Sequence, residues 1–238
     1  MTGNDDRIEY AAEHTEILRP PKQSLSTFGT TNVYYYLVTE PAYSELVQGT
    51  DVAETVIREG RIIAQRPRIV TPYYLSRLEG FSQEARRFFE MLLTVHGSNA
   101  PGLFYTYKNE AKELNIVSDS WQVVVSRIND EIDRRGDPLA SIIKGEDELW
   151  DVSLLKFIYE ITRSSLRTNL AQLGTRGLLD MDASGLPGDA RLRIEELFRQ
   201  VEAGERDPSE LKNELDHWNV FGEYEDRFLD IFKKGRRR

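Results

Sequence analysis

Residues 148–165, ELWDVSLLKFIYEITRSS, carry apolar side chains almost all the way round a helix. The polar strip is narrow and consists of Asp151, Lys156, Glu160 and Arg163. A helix that is apolar on nearly every side is normally covered by several other elements. We therefore expect the rest of the chain to pack around this helix.

The composition is that of an ordinary globular protein, with 238 residues of which 39% are hydrophobic and 30% charged. No apolar run reaches the roughly 18 residues of a membrane span, and no secretory signal pattern is present. Cysteine is absent, which excludes disulfides and thiolate metal sites. We expect a cytoplasmic protein that makes no membrane contact.

Short segments rich in β-branched and aromatic residues predict about five strands. Glu59-Gly60 has the spacing of a two-residue hairpin turn, in which glycine accepts a positive φ. Residues 109–113 join two further segments in a second hairpin. The strands are predicted at residues 30–39, 55–57, 62–64, 103–108 and 114–117.

Apolar residues recur at helical spacing in most of the remaining chain. Asp207, Pro208 and Glu210 occupy the N-cap, N1 and N3 positions of one of these helices, and Asp137-Pro138 is interpreted as another helix start. The helices are predicted within residues 7–18, 71–80, 82–97 and 120–134, from residue 137, within 148–165, and as three C-terminal helices around Ile194, Leu215 and Phe228.

These elements predict an α+β protein with an about five-stranded, mainly antiparallel sheet and helices, followed by a helical C-terminal half. The predicted parts are an N-terminal tail or clasp at 1–26, an α+β domain at 27–145, a helical lobe at 146–232 and a basic tail at 233–238.

The net charge of −9 is unevenly distributed. Residues 180–232 hold fifteen acids against six bases, whereas residues 58–87 hold seven arginines against three glutamates. An acidic lobe repels nucleic acid, while the arginine segment attracts polyanions.

The arginine segment supplies the candidate site. In the predicted hairpin Arg58 faces Arg61, and an anion or acidic partner between the two guanidinium groups relieves their repulsion. The alternative is that neighbouring glutamates neutralise the arginines in ordinary surface pairs. The candidate anion- or partner-binding residues are Arg58, Arg61, Arg66, Arg68, Tyr73, Tyr74 and Arg77.

Other motifs are incomplete. Residues 180–185 open like a calcium loop, but Arg191 occupies the position of the bidentate glutamate, so we interpret them as an acidic turn. Glu110-Ala111-Lys112 is similar to a nuclease motif but has no aspartate on an adjacent strand. His14, His96 and His217 are interpreted as structural. We predict no metal and no cofactor.

Three stretches resemble an uncharacterised bacterial protein family with no assigned activity. They are FGTTNVYYYLVTEP at 28–41, REGRIIAQRPRIVTP at 58–72 and LWDVSLLKFI at 149–158. The resemblance implies a bacterial cytoplasmic protein, and it brings no mechanism with it.

We interpret the chain as a soluble non-enzymatic macromolecular interaction protein with a protein partner, because its charges are segregated by sign and no catalytic set is assembled. One alternative is a nucleic-acid or phosphate-ligand binding protein that uses the arginine-rich hairpin. Another is a carboxylate-dependent hydrolase, which requires a cleft that holds two carboxylates with separated pKa values. The sequence favours a non-enzyme and leaves the oligomeric state open.

Overall fold

The computed structural model describes residues 3–41, 53–71, 74 and 102–235. In these ranges the chain forms six helices and seven strands. In chain order they are α1 (Gly3–Glu13), β1 (Glu16–Arg19), β2 (Thr31–Glu40), β3 (Thr55–Ala64), β4 (Arg68–Val70), β5 (Gly102–Phe104), β6 (Tyr107–Val117), α2 (Trp121–Arg135), β7 (Ala140–Glu146), α3 (Trp150–Thr175), α4 (Gly188–Glu202), α5 (Pro208–Trp218) and α6 (Phe221–Gly235).

The chain divides into two compact units, each built from two separate stretches. Unit 1 contains the described residues of Met1–Arg66 and Tyr105–Leu170, and unit 2 those of Pro67–Phe104 and Ala171–Arg238. The contiguous domain boundaries suggested by the sequence stay a prediction. Within the described ranges, no helix has the length and hydrophobicity that crossing a bilayer requires.

Unit 1 is organised around a five-stranded sheet with the order β1-β7-β2-β3-β6. β7 is parallel to β2, and the other three neighbouring pairs are antiparallel. Five of the six described helices lie in the C-terminal half of the chain. The predicted α+β class with a five-stranded, mainly antiparallel sheet is therefore confirmed.

Each face of this sheet carries its own core. On one face Tyr35 and Leu37 pack with Phe157 and other residues of α3. On the opposite face α2 covers the sheet through Val124, Ile128 and Ile132, which are all buried. The apolar stripe predicted for this helix from its 3.6-residue period is thus confirmed.

The predicted hairpin at Glu59-Gly60 is wrong, because β3 passes through both residues without turning. Gly60 does not serve a turn: a β-carbon there would lie 2.5 Å from the Tyr35 hydroxyl oxygen. The glycine is required because the Tyr35 side chain approaches the backbone closely. In a continuous strand Arg58 and Arg61 are an odd number of residues apart and lie on opposite faces of the sheet, so they do not face each other.

The second predicted hairpin is also wrong. Residues 107–117 form the single strand β6, which pairs with β3 along its length. Glu113 stands opposite Glu59 and Ala111 opposite Gly60, so Lys112 is an extra residue on β6. The predicted turn is therefore a β-bulge inside one strand.

One predicted helix is shorter than expected, and another is replaced by a strand. The N-terminal helix ends at Glu13, and Glu16–Arg19 pairs with β7 as an edge strand. Ile17 and Leu18 pack into the cores on opposite faces of the sheet, which is the two-residue period of a strand. The helix predicted from Asp137-Pro138 is β7, a strand that lies between β1 and β2.

The long helix α3 is confirmed but is less covered than its composition predicts. Leu154, Phe157 and Ile161 are buried, whereas Leu155 and Tyr159 are 64% and 62% exposed. The helix therefore packs through one face and leaves apolar side chains on the other.

Unit 2 combines the small β4–β5 sheet with α4, α5 and α6. The three predicted C-terminal helices are confirmed, and Asp207 caps α5 by accepting the backbone N–H of Ser209. Lys233, in the predicted basic tail, lies in α6 and pairs with Asp230 at 2.8 Å. Of the helices predicted within residues 71–97, only Thr71 and Tyr74 lie within the described residues.

Candidate functional site

Arg58 lies in a polar junction at the ends of β2 and β7. Its guanidinium Nη1 donates to Thr39 Oγ1 at 3.0 Å and lies 2.8 Å from Asp147 Oδ1. Thr39 donates to the same Asp147 oxygen at 2.7 Å, and the guanidinium also lies 5.6 Å from the Trp150 ring centroid. The side chains of Arg58 and Asp147 are only 16% and 20% exposed. The junction therefore ties β2 and β3 to the turn before α3.

Arg61 is paired on the other face of the sheet. Its Nε donates to Glu110 Oε2 at 2.7 Å, and Lys108 Nζ donates to Glu110 Oε1 at 2.8 Å. The hydrogen bonds from Lys108 and Arg61 hold the pKa of the Glu110 carboxyl below its usual range. Glu110 of the nuclease-like motif thus acts here as the partner of two bases.

Three of the other predicted site residues, Arg66, Arg68 and Tyr74, lie within the described residues. Arg66 and Arg68 are exposed, with Arg68 at the start of β4 in unit 2. Tyr74 is buried, while Tyr73 and Arg77 lie outside the described residues. The anion- or partner-binding role of the whole set stays a prediction, and the structure gives Arg58 and Arg61 carboxylate partners within the chain.

Tyr74 belongs to a buried polar network in unit 2. It donates to Glu214 Oε2 at 3.1 Å, and Glu214 Oε1 accepts from Arg193 Nε at 2.7 Å and Trp218 Nε1 at 3.0 Å. Burial, reinforced by the negative charge of Glu214, raises the pKa of Tyr74 to about 12. Through Arg193, Glu214 and Trp218 this network links Tyr74 to α4 and α5 in the core of unit 2.

The Asp182 carboxylate in the acidic turn at 180–185 is bonded to backbone N–H groups near it and to Arg191. Asp182 Oδ1 accepts the backbone N–H groups of Ser184 and Leu186, both at 2.9 Å, and Asp182 Oδ2 pairs with Arg191. Arg191 is the residue that replaces the calcium-binding glutamate. Across the described ranges, no group of three or more histidine, aspartate or glutamate side chains is arranged to hold a metal ion.

The two histidines in the described ranges contact aromatic rings. His14 stacks on Tyr10 with ring centroids 3.8 Å apart, and His217 meets Tyr74 edge-on at 5.3 Å. His96 lies outside the described residues. The ring nitrogen Nδ1 of His14 contacts the backbone oxygen of Tyr10, and the described contacts of the two histidines include no serine hydroxyl.

A cleft of about 860 Å³ opens beside the carboxyl ends of β2 and β7. Arg7 and Glu148 form an ion pair in its wall. Its remaining charged groups come from α1, the end of β2, the end of β7 and the turn before α3. The charged lining residues are Asp6, Arg7, Glu40, Lys144, Glu146, Asp147 and Glu148.

The strand β6 is the long edge of the unit 1 sheet. Eight of its eleven residues are exposed, and these include Leu114 and Ile116 at 58% and 55%. The described residues place no strand beside its outer side. Long apolar edge strands are normally shielded, because their unpaired backbone groups bind other strands.

The outer side of β6 carries unpaired backbone groups at defined residues. Gln65 donates its backbone N–H to Thr106 O at 3.0 Å. Since backbone groups alternate in direction along an antiparallel strand, odd-numbered residues of β3 bond to β6 and even-numbered residues to β2. Leu114 and Ile116 stand opposite even-numbered residues, so their N–H and C=O groups point away from β3.

Shielding is uneven along this edge. The bulge at Lys112 and the charges of Lys108 and Glu110 disfavour strand pairing along the first half, as in many edge strands. Beyond the bulge, Leu114 and Ile116 are apolar and exposed. Residues 114–117 are correctly predicted as part of a strand, but their local sequence pattern does not show that this strand lies at the edge of the sheet.

Comparison with protein-family models, curated proteins and solved structures finds no match for the chain.

Proposed function

We propose that this protein is a non-enzymatic interaction protein, which binds an extended segment of another protein along the outer edge of β6. The observation that supports the proposal is the stretch Glu113–Val117, which has no described strand on its outer side and combines outward backbone groups with exposed apolar side chains. Strand addition of this kind uses backbone hydrogen bonds for affinity and alternate side chains for specificity.

The backbone contribution comes from Leu114 and Ile116. Each offers one outward N–H and one outward C=O, so a segment of about five residues meets four hydrogen-bonding groups. A net gain of about 0.5–1.5 kcal/mol for each bond gives an affinity suited to a reversible complex. Four bonds alone do not specify a partner, since every peptide has the same backbone.

Side chains supply the specificity. Leu114 and Ile116 lie on the face of the sheet that α3 covers, because Leu114 pairs with Arg58 and Arg58 contacts Trp150. Glu113 lies on the opposite face beside Glu59. Burial of Glu59 raises its pKa, and the negative charge of Glu113 raises it further. A basic side chain beside Glu113 relieves this like-charge contact. The fitting segment therefore alternates apolar and basic residues.

The test uses a phage-displayed library of random peptides, selected against the full chain and followed by fluorescence anisotropy with the enriched peptides. Ile116→Pro removes an outward N–H and leaves the β3 ladder intact, so we expect binding to weaken by about tenfold or more. Ile116→Thr keeps the N–H and the branched side chain and should weaken binding less. Glu113→Gln should reduce both the affinity and its dependence on salt.

Amide chemical shifts of Glu113–Val117 should move on peptide addition. Enriched peptides that bind Ile116→Pro as well as the wild type would overturn the proposal, and so would a library that yields no enriched peptide. If the selected peptides are acidic and their binding is lost in Arg66→Ala and Arg68→Ala, the arginine segment is the binding surface instead.

A further inference from the structure

The part of α3 in unit 1 carries an exposed apolar stripe, defined as Leu155, Tyr159, Leu166 and Leu170. Leu155 and Tyr159 are almost two-thirds exposed, and Leu166 and Leu170 are each more than one-third exposed. At about 100° per residue the four side chains fall within a sector of about 60°. The buried side of the helix, with Leu154, Phe157 and Ile161, faces the sheet, so the stripe faces away from it.

The spacing of the stripe residues is the same when it is read from either end of the helix. Successive members are separated by four, seven and four residues. A two-fold axis between Thr162 and Arg163, perpendicular to the helix, therefore places Leu155 against Leu170 of a second copy. The same axis places Tyr159 against Leu166. A closed two-fold dimer requires a surface that complements itself in this way.

Charges near the axis fit the same arrangement. Glu160 and Arg163 lie beside the stripe and are only loosely paired within one chain, at 3.9 Å. When two α3 helices run antiparallel about this axis, the Arg163 side chains of the two copies approach each other, and Glu160 of each copy comes near Arg163 of the other and offsets that repulsion. Rim charges of this kind contribute little energy, but they select the orientation of paired helices.

We propose that two copies of this chain associate through an antiparallel pair of α3 helices, with the stripe as the seam. Four apolar side chains from each copy make a small interface, so we expect a dissociation constant in the micromolar range. This surface is separate from the outer edge of β6, and the dimer does not depend on the function proposed above.

Sedimentation velocity at increasing concentration of the full chain measures the association. The double variant Tyr159→Glu with Leu166→Glu should stay monomeric at concentrations that leave the wild type dimeric. Leu192→Glu is the matched control, because Leu192 is 56% exposed on α4 and lies off the stripe. Circular dichroism melting checks that each variant is folded. A monomeric wild type, or a control that dissociates as readily as the stripe variant, would overturn the proposal.

Introduced cysteines test the orientation, since the chain has no cysteine of its own. Arg163→Cys lies near the axis and should form a disulfide between copies under mild oxidation. Leu155→Cys alone should not, but a mixture of Leu155→Cys and Leu170→Cys chains should cross-link. Rapid cross-linking of Leu155→Cys with itself contradicts the antiparallel pair. Loss of the dimer in Ile116→Pro would assign the self-contact to β6 and refute the proposal.

Discussion

The side chain of Tyr35 lies against the backbone of Gly60, its direct partner across β2 and β3. The Tyr35 hydroxyl also donates to Asn109 Oδ1 at 3.0 Å, so the ring reaches across β3 to β6. Three neighbouring strands are therefore fixed by one side chain, and the path of that side chain is open only because residue 60 has no β-carbon.

We expect Gly60→Ala to lower the free energy of unfolding by about 1–3 kcal/mol, because the added carbon overlaps the buried Tyr35 side chain. Urea denaturation measures the change. Gly222→Ala is the control, since no atom lies within 4 Å of the position of its β-carbon, and it should stabilise the chain by about 0.5–1 kcal/mol. Equal effects of the two substitutions would show that the Tyr35 contact is unimportant.

The Arg58–Asp147 pair should contribute more than an exposed pair. Arg58→Met or Asp147→Asn alone should cost about 1–3 kcal/mol, because each leaves a partly buried polar group without its partner. The double variant should cost less than the sum of the two. The comparison pair is Arg127–Asp119, which is exposed with a similar separation of 2.7 Å. A double-mutant cycle that gives both pairs the same coupling energy would refute the expectation.

Stability should fall as the pH rises from about 10 to about 12. The pKa of Tyr74 is raised from 10.0 to about 12 in the folded chain, chiefly by burial. Between these values the unfolded tyrosine loses its proton while the folded one keeps it, so deprotonation favours the unfolded state. Burial raises the pKa of Tyr105 to about 12 as well.

Urea denaturation across this pH window, with the ultraviolet absorbance of tyrosinate as a second signal, measures the effect. Tyr74→Phe should make the decline less steep, and Tyr74→Phe with Tyr105→Phe should make it less steep again. Tyr10→Phe is the control, because Tyr10 is 53% exposed. A decline that is unchanged in the double variant would contradict the assignment.

The helices were largely predictable, because their signals are local. The stripe of Val124, Ile128 and Ile132 follows one period, and Asp207 marks a helix start through its own capping bond. The α+β class follows from the same patterns. Local signals do not show which sides of a helix other elements cover. The exposure of Leu155 and Tyr159 therefore could not be predicted.

The strands were harder to predict, since their boundaries depend on distant residues. Gly60 resembles a turn glycine, but Tyr35 determines its role from another strand. The residues around Lys112 resemble a turn, but the register of β3 makes them a bulge. The prediction that Arg58 faces Arg61 failed for the same reason, because the two residues face each other only if the chain turns between them.

The position of β7 in the sheet has a consequence for protein synthesis. Among the described strands, β1 pairs only with β7, so within that sheet the strand at Glu16–Arg19 waits for its partner until Ala140–Glu146 has left the ribosome. More than half of the nascent chain is then already made. During that interval the apolar residues Ile17 and Leu18 are exposed to chaperones and to other nascent chains, and completion of the sheet depends on a late-emerging segment.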